Sequence, residues 1–131
     1  MSNPQKNKDR TVLVVDDEVL VLEIVEAFIE QLGHKVLLAT SGHEALEVAK
    51  AYDGKVDLLL TDVIMPNMNG LELADIVVTN NPDIKVLFMS GCLQPAIHSR
   101  NTPRFQNGFV KKPFSSKTLI NHIKKALNEM D

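Results

Sequence analysis

Four short, almost wholly apolar runs, each separated from the next by a segment of helical period, constrain this chain more than any other feature. They are "TVLVV" (Thr11 to Val15), "KVLLA" (Lys35 to Ala39), "VDLLLT" (Val56 to Thr61) and "KVLFMS" (Lys85 to Ser90), and "GFVKK" (Gly108 to Lys112) reads as a short fifth. Apolar runs of this length, rich in valine and leucine, predict strands. A strand apolar on both sides must be covered on both sides, as parallel strands are. The segments between them read as helices. In "EVLVLEIVEAFIEQLG" the residues Leu22, Val25, Ile29 and Leu32 share one face, and Gly33 ends the helix. "SGHEALEVAKAY" opens with Ser41 at capping distance from Glu44. "NGLELADIVVTNN" has Asn69 as its N-cap and Pro82 beyond its end. "SSKTLINHIKKALNEM" starts from Ser115 or Ser116 and turns Leu119, Ile123 and Leu127 inward. Strands alternating with helices predict an α/β fold: a doubly wound parallel sheet with right-handed crossovers and helices on both faces.

The 131 residues suit one core. Residues 1–9, which are polar, read as a disordered leader or linker, and residues 10–131 as the domain. The leader is not a signal peptide, and no apolar run is long enough to span a membrane. A net charge of -3 gives no footprint for nucleic acid. The single cysteine, Cys92, excludes an internal disulfide and fits a reducing cytoplasm. Between Gly91 and Asn107, Pro95 and Pro103 leave room for one or two helical turns.

In a doubly wound sheet, ligands bind outside the carboxyl ends of the strands. The residues that follow the apolar runs are therefore the ones to read for chemistry. They are Asp16 and Asp17, with Glu18 behind them; Asp62; Ser90; and Lys112, just before Pro113. Asp16, Asp17 and Asp62 would repel one another unless a cation sat among them. Oxygen ligands with room for water favour Mg²⁺, and such an ion contacts phosphate oxygens. Ser90 and Lys112 add a hydroxyl and a point charge for the same phosphoryl group. A carboxylate can attack phosphorus and carry an acyl phosphate, and Asp62, in mid-sheet before the "VIMPNMNG" loop, is the best placed to do so. Taken alone, Asp62 would be a turn residue, Lys112 a solvated lysine like Lys111, and one of Asp16 and Asp17 a helix cap. Together at one edge they favour the reactive reading. His34, His43, His98 and His122 lack metal spacing and are expected at the surface, and Met65 and Met68 are expected to pack the loop.

"LVVDDE", "LLLTDVIMPNMNGLEL", "VLFMSG" and "FVKKPF", in this order and at these separations, resemble the receiver domain of two-component response regulators from about Thr11 onward. The resemblance implies a flavodoxin-like strand order of 2-1-3-4-5. It implies Asp62 as phosphoacceptor, Mg²⁺ held by Asp16, Asp17, Asp62 and the backbone carbonyl of Ile64, and Ser90 and Lys112 on the phosphoryl oxygens. It also implies a cis bond between Lys112 and Pro113, and Phe109 as the aromatic switch residue. Ser90 stands where many members have threonine, and Phe109 where tyrosine is frequent. The segment after Gly91 resembles receivers fused to hybrid histidine kinases. The implied donor is a histidine kinase or a histidine phosphotransfer protein. The implied protein is a monomer or a phosphorylation-dependent dimer that catalyses only its own phosphorylation and dephosphorylation. It is either a stand-alone receiver or a piece of a longer chain.

Three other readings compete. A haloacid-dehalogenase-type hydrolase would need D-x-D after its strand and a cap domain. A flavin module would need a hydroxyl- and glycine-rich loop after the first strand, where this chain is acidic. A receiver-like module that only docks would not need the intact acidic cluster.

Overall fold

The computed structural model describes residues 10–91 and 108–128. The elements run β1 (Thr11–Val15), α1 (Val19–Gln31), β2 (Lys35–Ala39), α2 (Gly42–Ala51), β3 (Leu58–Asp62), α3 (Gly70–Asn80), β4 (Lys85–Ser90), β5 (Phe109–Lys111) and, last among the described residues, α4 (Ser116–Ala126). The strands form one sheet in the order β2-β1-β3-β4-β5, and every neighbouring pair is parallel. The α/β reading and the implied strand order both hold.

Side chains alternate across the sheet and build two apolar layers. On one face Leu13, Val15, Leu59, Val86 and Phe88 pack with Ala45 of α2 and Leu73, Ala74 and Val77 of α3. On the other, Val12, Val14, Leu58, Leu60, Leu87, Met89 and Val110 meet Leu22, Val25 and Ile29 of α1 and Leu119 and Ile123 of α4. β1 and β3 are buried along their whole length, because they lie between other strands and between the two layers. β2, at the sheet's edge, is buried only at Ala39 and otherwise half-covered or exposed.

Local signals set the helix ends. Ser41 accepts from the Glu44 amide at 3.0 Å, and Asn69 and Glu72 form a reciprocal capping box at 2.8 and 3.0 Å. Ser115, not Ser116, caps α4 by accepting from the Thr118 amide at 3.1 Å. Gly33, at φ 89°, takes the left-handed conformation that stops α1.

Three expectations need adjustment. The third strand begins at Leu58 and includes Asp62, which pairs with Met89, so the carboxylate belongs to the strand's last position. Val56 stays buried before the strand, and the Asp57 side chain there accepts from the Thr11 amide at 2.8 Å. The fifth strand is confined to Phe109–Lys111. His34, in the short connection between α1 and β2, is buried, only 5% exposed. The expectations for residues 1–9, for Cys92 and His98, and for the turns around Pro95 and Pro103 lie outside the described residues. No helix among the described residues is long and apolar enough to cross a membrane.

Candidate functional site

The ends of β1 and β3 are neighbours in the sheet, so their acidic residues meet. Asp16 continues β1 and donates its amide to the Ala39 carbonyl at 3.2 Å. Its side chain is fully buried. A buried carboxylate is costly unless each oxygen has a partner, and here both do. Oδ1 accepts from the Glu18 amide at 2.9 Å, and Oδ2 accepts from the Lys112 ammonium at 2.6 Å. Asp17, the next residue, is exposed. Carboxylate oxygens of Asp16, Asp17 and Asp62 all lie within 4.8 Å of one another.

Asp62 is 7% exposed. Its Oδ1 accepts from the Val63 amide at 2.9 Å, and its Oδ2 is 3.6 Å from the Lys112 nitrogen. Burial pushes its pKa from 3.8 up to about 6; Lys112 and the Val63 amide pull against this, and the charges of Asp16 and Asp17 reinforce it.

The backbone around Asp62 is held tightly. Val63 donates to the Met89 carbonyl at 3.1 Å, and Gly70 donates to the Val63 carbonyl at 2.7 Å. The loop turns through Asn67 at φ 71°, a conformation asparagine tolerates better than most residues. At Gly70 the start of α3 presses on the end of β3: an added Cβ would collide with the backbone carbonyl of Asp62.

Lys112 comes from the far side of the sheet. Its amide donates to the Ser90 carbonyl at 2.7 Å, and the bond to Pro113 is cis, as the resemblance implied. Its nitrogen also lies 3.8 Å from Glu18 Oε1. Burial opposes the ammonium, but the hydrogen bond and charge of Asp16, with Asp62 and Glu18, outweigh it and raise the lysine's pKa. Ser90 is fully buried at the last position of β4, in the strand beside Asp62. Ile64 lies two residues beyond Asp62 with its side chain 60% exposed. Phe109 pairs with Phe88 in the sheet and packs, half-buried, against the α2–α3 layer.

Asp16, Asp17, Asp62 and Lys112 therefore converge as read from the sequence. Two further contributors had no role assigned there, Glu18 being named only for its place behind the aspartates and Gly70 only within the loop motif. Glu18 joins the lysine's surroundings, and its place directly after the two aspartates was the available signal. Gly70 sets the contact between loop and helix, and the signal was the Asn-Gly pair. Among the described residues, no histidine belongs to the cluster. His43 is exposed, and the His122 ring nitrogen lies 2.8 Å from the Thr118 carbonyl on its own helix.

A donor set of carboxylate oxygens suits a cation such as Mg²⁺ rather than zinc, and the three carboxylates within 4.8 Å of one another fit one. Beside the cluster, Val21, Ile24, Gly91, Lys112, Pro113 and Phe114 line an apolar cleft of about 440 Å³.

The sequence pattern of the response regulator receiver domain matches residues 12–124. The chain is 39% identical over 122 residues to Sensor kinase CckA of Brucella abortus (strain 2308), covering 92% of this chain and 13% of that protein. It is 32% identical to DNA-binding transcriptional regulator NtrC of Azospirillum brasilense, covering 90% of this chain and 24% of that protein. This chain thus spans a minor part of both relatives. Among solved structures, chemotaxis protein CheY4 of Vibrio cholerae superposes with a TM-score of 0.81 at 26% identity, over 90% of this chain and 98% of that one. A CheY-like response regulator receiver domain protein from Methanospirillum hungatei JF-1 gives 0.82 at 25% identity, over 93% and 96%.

Proposed function

Because this chain belongs to the response regulator receiver domain family, we propose that it is a phosphoacceptor switch of a two-component phosphorelay. It takes a phosphoryl group from a histidine kinase or a histidine phosphotransfer protein onto Asp62, in the cytoplasm. Its only catalysis is its own phosphorylation and dephosphorylation. The observation that carries this reading is the Asp62 carboxylate at a strand end, 3.6 Å from a lysine and clustered with two further aspartates.

An ionised Asp62 oxygen attacks phosphorus. The P–N bond to the donor imidazole breaks, its electron pair returns to the ring nitrogen, and an acyl phosphate forms. With a pKa of about 6, Asp62 is mostly a carboxylate at neutral pH and so is ready to attack. Lys112 and Ser90 hold the phosphoryl oxygens and are drawn toward them, which biases the surface that carries Phe109. Mg²⁺, held by Asp16, Asp17, Asp62 and the Ile64 carbonyl, supplies charge neutralisation when bound. Incubation with acetyl phosphate and Mg²⁺, followed by intact mass, tests the reading: one phosphoryl adduct is expected. No adduct from acetyl phosphate or from a phosphohistidine donor would leave a module that only docks.

The rim of the site favours a protein donor. Val19, Leu20 and Ile24 of α1 and Ile64 of the loop are all more than half exposed, and Ile24 shares the apolar cleft with Lys112. Leu20→Asp is expected to slow transfer from a phosphohistidine protein by roughly tenfold, the effect of about 1.4 kcal/mol of lost apolar contact. Uptake from acetyl phosphate should be unchanged. Equal slowing with both donors would remove α1 from the donor contact.

Ile64 also bears on the lifetime of the acyl phosphate. An exposed aliphatic side chain next to the phosphoacceptor cannot orient an attacking water. Phosphate loss from the isolated domain is expected to take longer than seconds. Ile64→Asn, which offers a hydrogen-bonding group, is expected to hasten it by roughly tenfold. Following the adduct by mass over time checks both.

A further inference from the structure

We propose that Thr61 is a positioning residue for phosphoryl uptake: its hydroxyl fixes the peptide whose N–H aims the Asp62 carboxylate. The proposal rests on the reading of Asp62 as phosphoacceptor and adds a residue to which that reading gives no role.

Thr61 follows three leucines in β3 and is fully buried. It is in register with Val15 of β1 on one side and Phe88 of β4 on the other, both fully buried too. By alternation its side chain lies on the face of Leu59 and Val63, the face that α2 and α3 cover. Valine would fill the same space among these apolar neighbours with no polar atom to satisfy. A buried hydroxyl costs free energy unless it is hydrogen-bonded, so its partner matters. The Thr61 hydroxyl donates to the Asp62 carbonyl at 2.9 Å.

That carbonyl belongs to the peptide joining Asp62 to Val63. The N–H at the other end of the same peptide holds the reactive carboxylate, donating to Asp62 Oδ1 at 2.9 Å. A peptide is planar and turns as one piece, so a bond to its oxygen fixes the direction of its N–H. β1 pairs with β3 only as far as Thr61, so the Asp62 peptide lies beyond the end of that ladder and the hydroxyl supplies a hold there. From the other side Gly70 packs so close that a Cβ would collide with the same carbonyl. Hydrogen bonds in series also strengthen one another, here from hydroxyl to carbonyl and from N–H to carboxylate. With Oδ1 anchored in this way, Oδ2 is presented toward Lys112, 3.6 Å away, in a fixed orientation.

Two variants test the proposal, compared with the native chain by intact mass over time in acetyl phosphate and Mg²⁺, at a temperature where circular dichroism shows each one folded. Thr61→Val keeps the shape and removes the hydroxyl. Thr61→Ser keeps the hydroxyl and removes a methyl from the core. A crossed result is expected. Thr61→Val should take up the phosphoryl group roughly tenfold more slowly, less than the roughly hundredfold that a misplacement of about 1 Å can cost. Thr61→Ser should keep the native rate while melting at a lower temperature, because a buried methyl is lost. A native rate in Thr61→Val, or equal slowing of both variants, would overturn the proposal and show that Thr61 acts through packing alone. A second measurement needs no variant, and holds even where Thr61→Val does not fold. The Thr61 hydroxyl proton of the native chain is expected to exchange slowly enough with water to give its own NMR resonance, and rapid exchange would overturn the proposal. A native chain that forms no adduct at all would overturn the reading of Asp62 and this proposal with it, whereas a native adduct unaffected by Thr61→Val overturns the proposal alone.

Discussion

Replacing Asp62 by asparagine is expected to abolish phosphoryl uptake and, at neutral pH without divalent cations, to make the fold more stable. The first effect follows from chemistry: an amide has no ionised oxygen with which to attack phosphorus. Under conditions that give the native chain one adduct, the variant should give none. The second follows from the pKa. The folded-state value of about 6 lies above the ordinary 3.8, so the folded chain holds the Asp62 proton more tightly than the unfolded chain does. The stability contributed by that proton is complete below pH 3.8 and is lost as pH rises through about 6. Above that, the native chain carries an ionised carboxylate that burial and two neighbouring aspartates oppose. Asparagine keeps the shape and an oxygen for the Val63 amide, without the charge. A gain on the order of 2 kcal/mol is expected at pH 7.5, shrinking toward zero at pH 4. Urea unfolding of both chains at the two pH values, in chelator, measures it. A gain of equal size at both would show that the charge is not its source.

Gly70→Ala is expected to damage both stability and uptake. The new methyl would meet the Asp62 carbonyl, which belongs to a strand paired with β4 and has no room to retreat. The start of α3 must move instead, breaking the Gly70–Val63 hydrogen bond and disturbing the capping box beside it. Forced overpacking of this kind costs about 3 kcal/mol, or about 10 °C in Tm for a domain of this size. The carboxylate shifts with the backbone, so the rate of adduct formation should fall even at temperatures where the variant is folded. Thermal unfolding and uptake measured on the same sample separate the two effects. A variant with native Tm would mean that α3 accommodates the methyl.

The sequence made the sheet legible because parallel strands in mid-sheet need apolar residues on both sides. Leu58 to Leu60 and Val12 to Val15 could hardly sit elsewhere, and all are fully buried. The end-of-strand rule then located Asp16, Asp62, Ser90 and Lys112. What the linear pattern could not supply was direction. Asp16 and Asp17 stand side by side in the sequence, yet one is fully buried and the other exposed, although their carboxylates meet in one cluster. The lysine's preference for Asp16 over Asp62 depends on distances across three strands. His34 read as a surface residue because imidazole is polar, but it is buried in the short connection between α1 and β2. Gly70 read as a loop glycine, and only the approach of the Asp62 carbonyl shows what its missing side chain permits.

The Asp16–Lys112 pair joins residues 96 positions apart. During synthesis, which proceeds from the N-terminus, the acidic half of the pocket is complete long before its cation exists. A ribosome that has made β1 to β4 has made the carboxylates of the pocket without Lys112, the lysine that pairs with them. Only when residues 109–112 emerge can the last strand add to the sheet and close the pocket. Contacts of such separation also slow folding, since the chain entropy lost in closing the loop precedes the reward. The competent site is therefore a late acquisition, and a copy halted before Lys112 has no complete acceptor pocket to offer a phosphodonor.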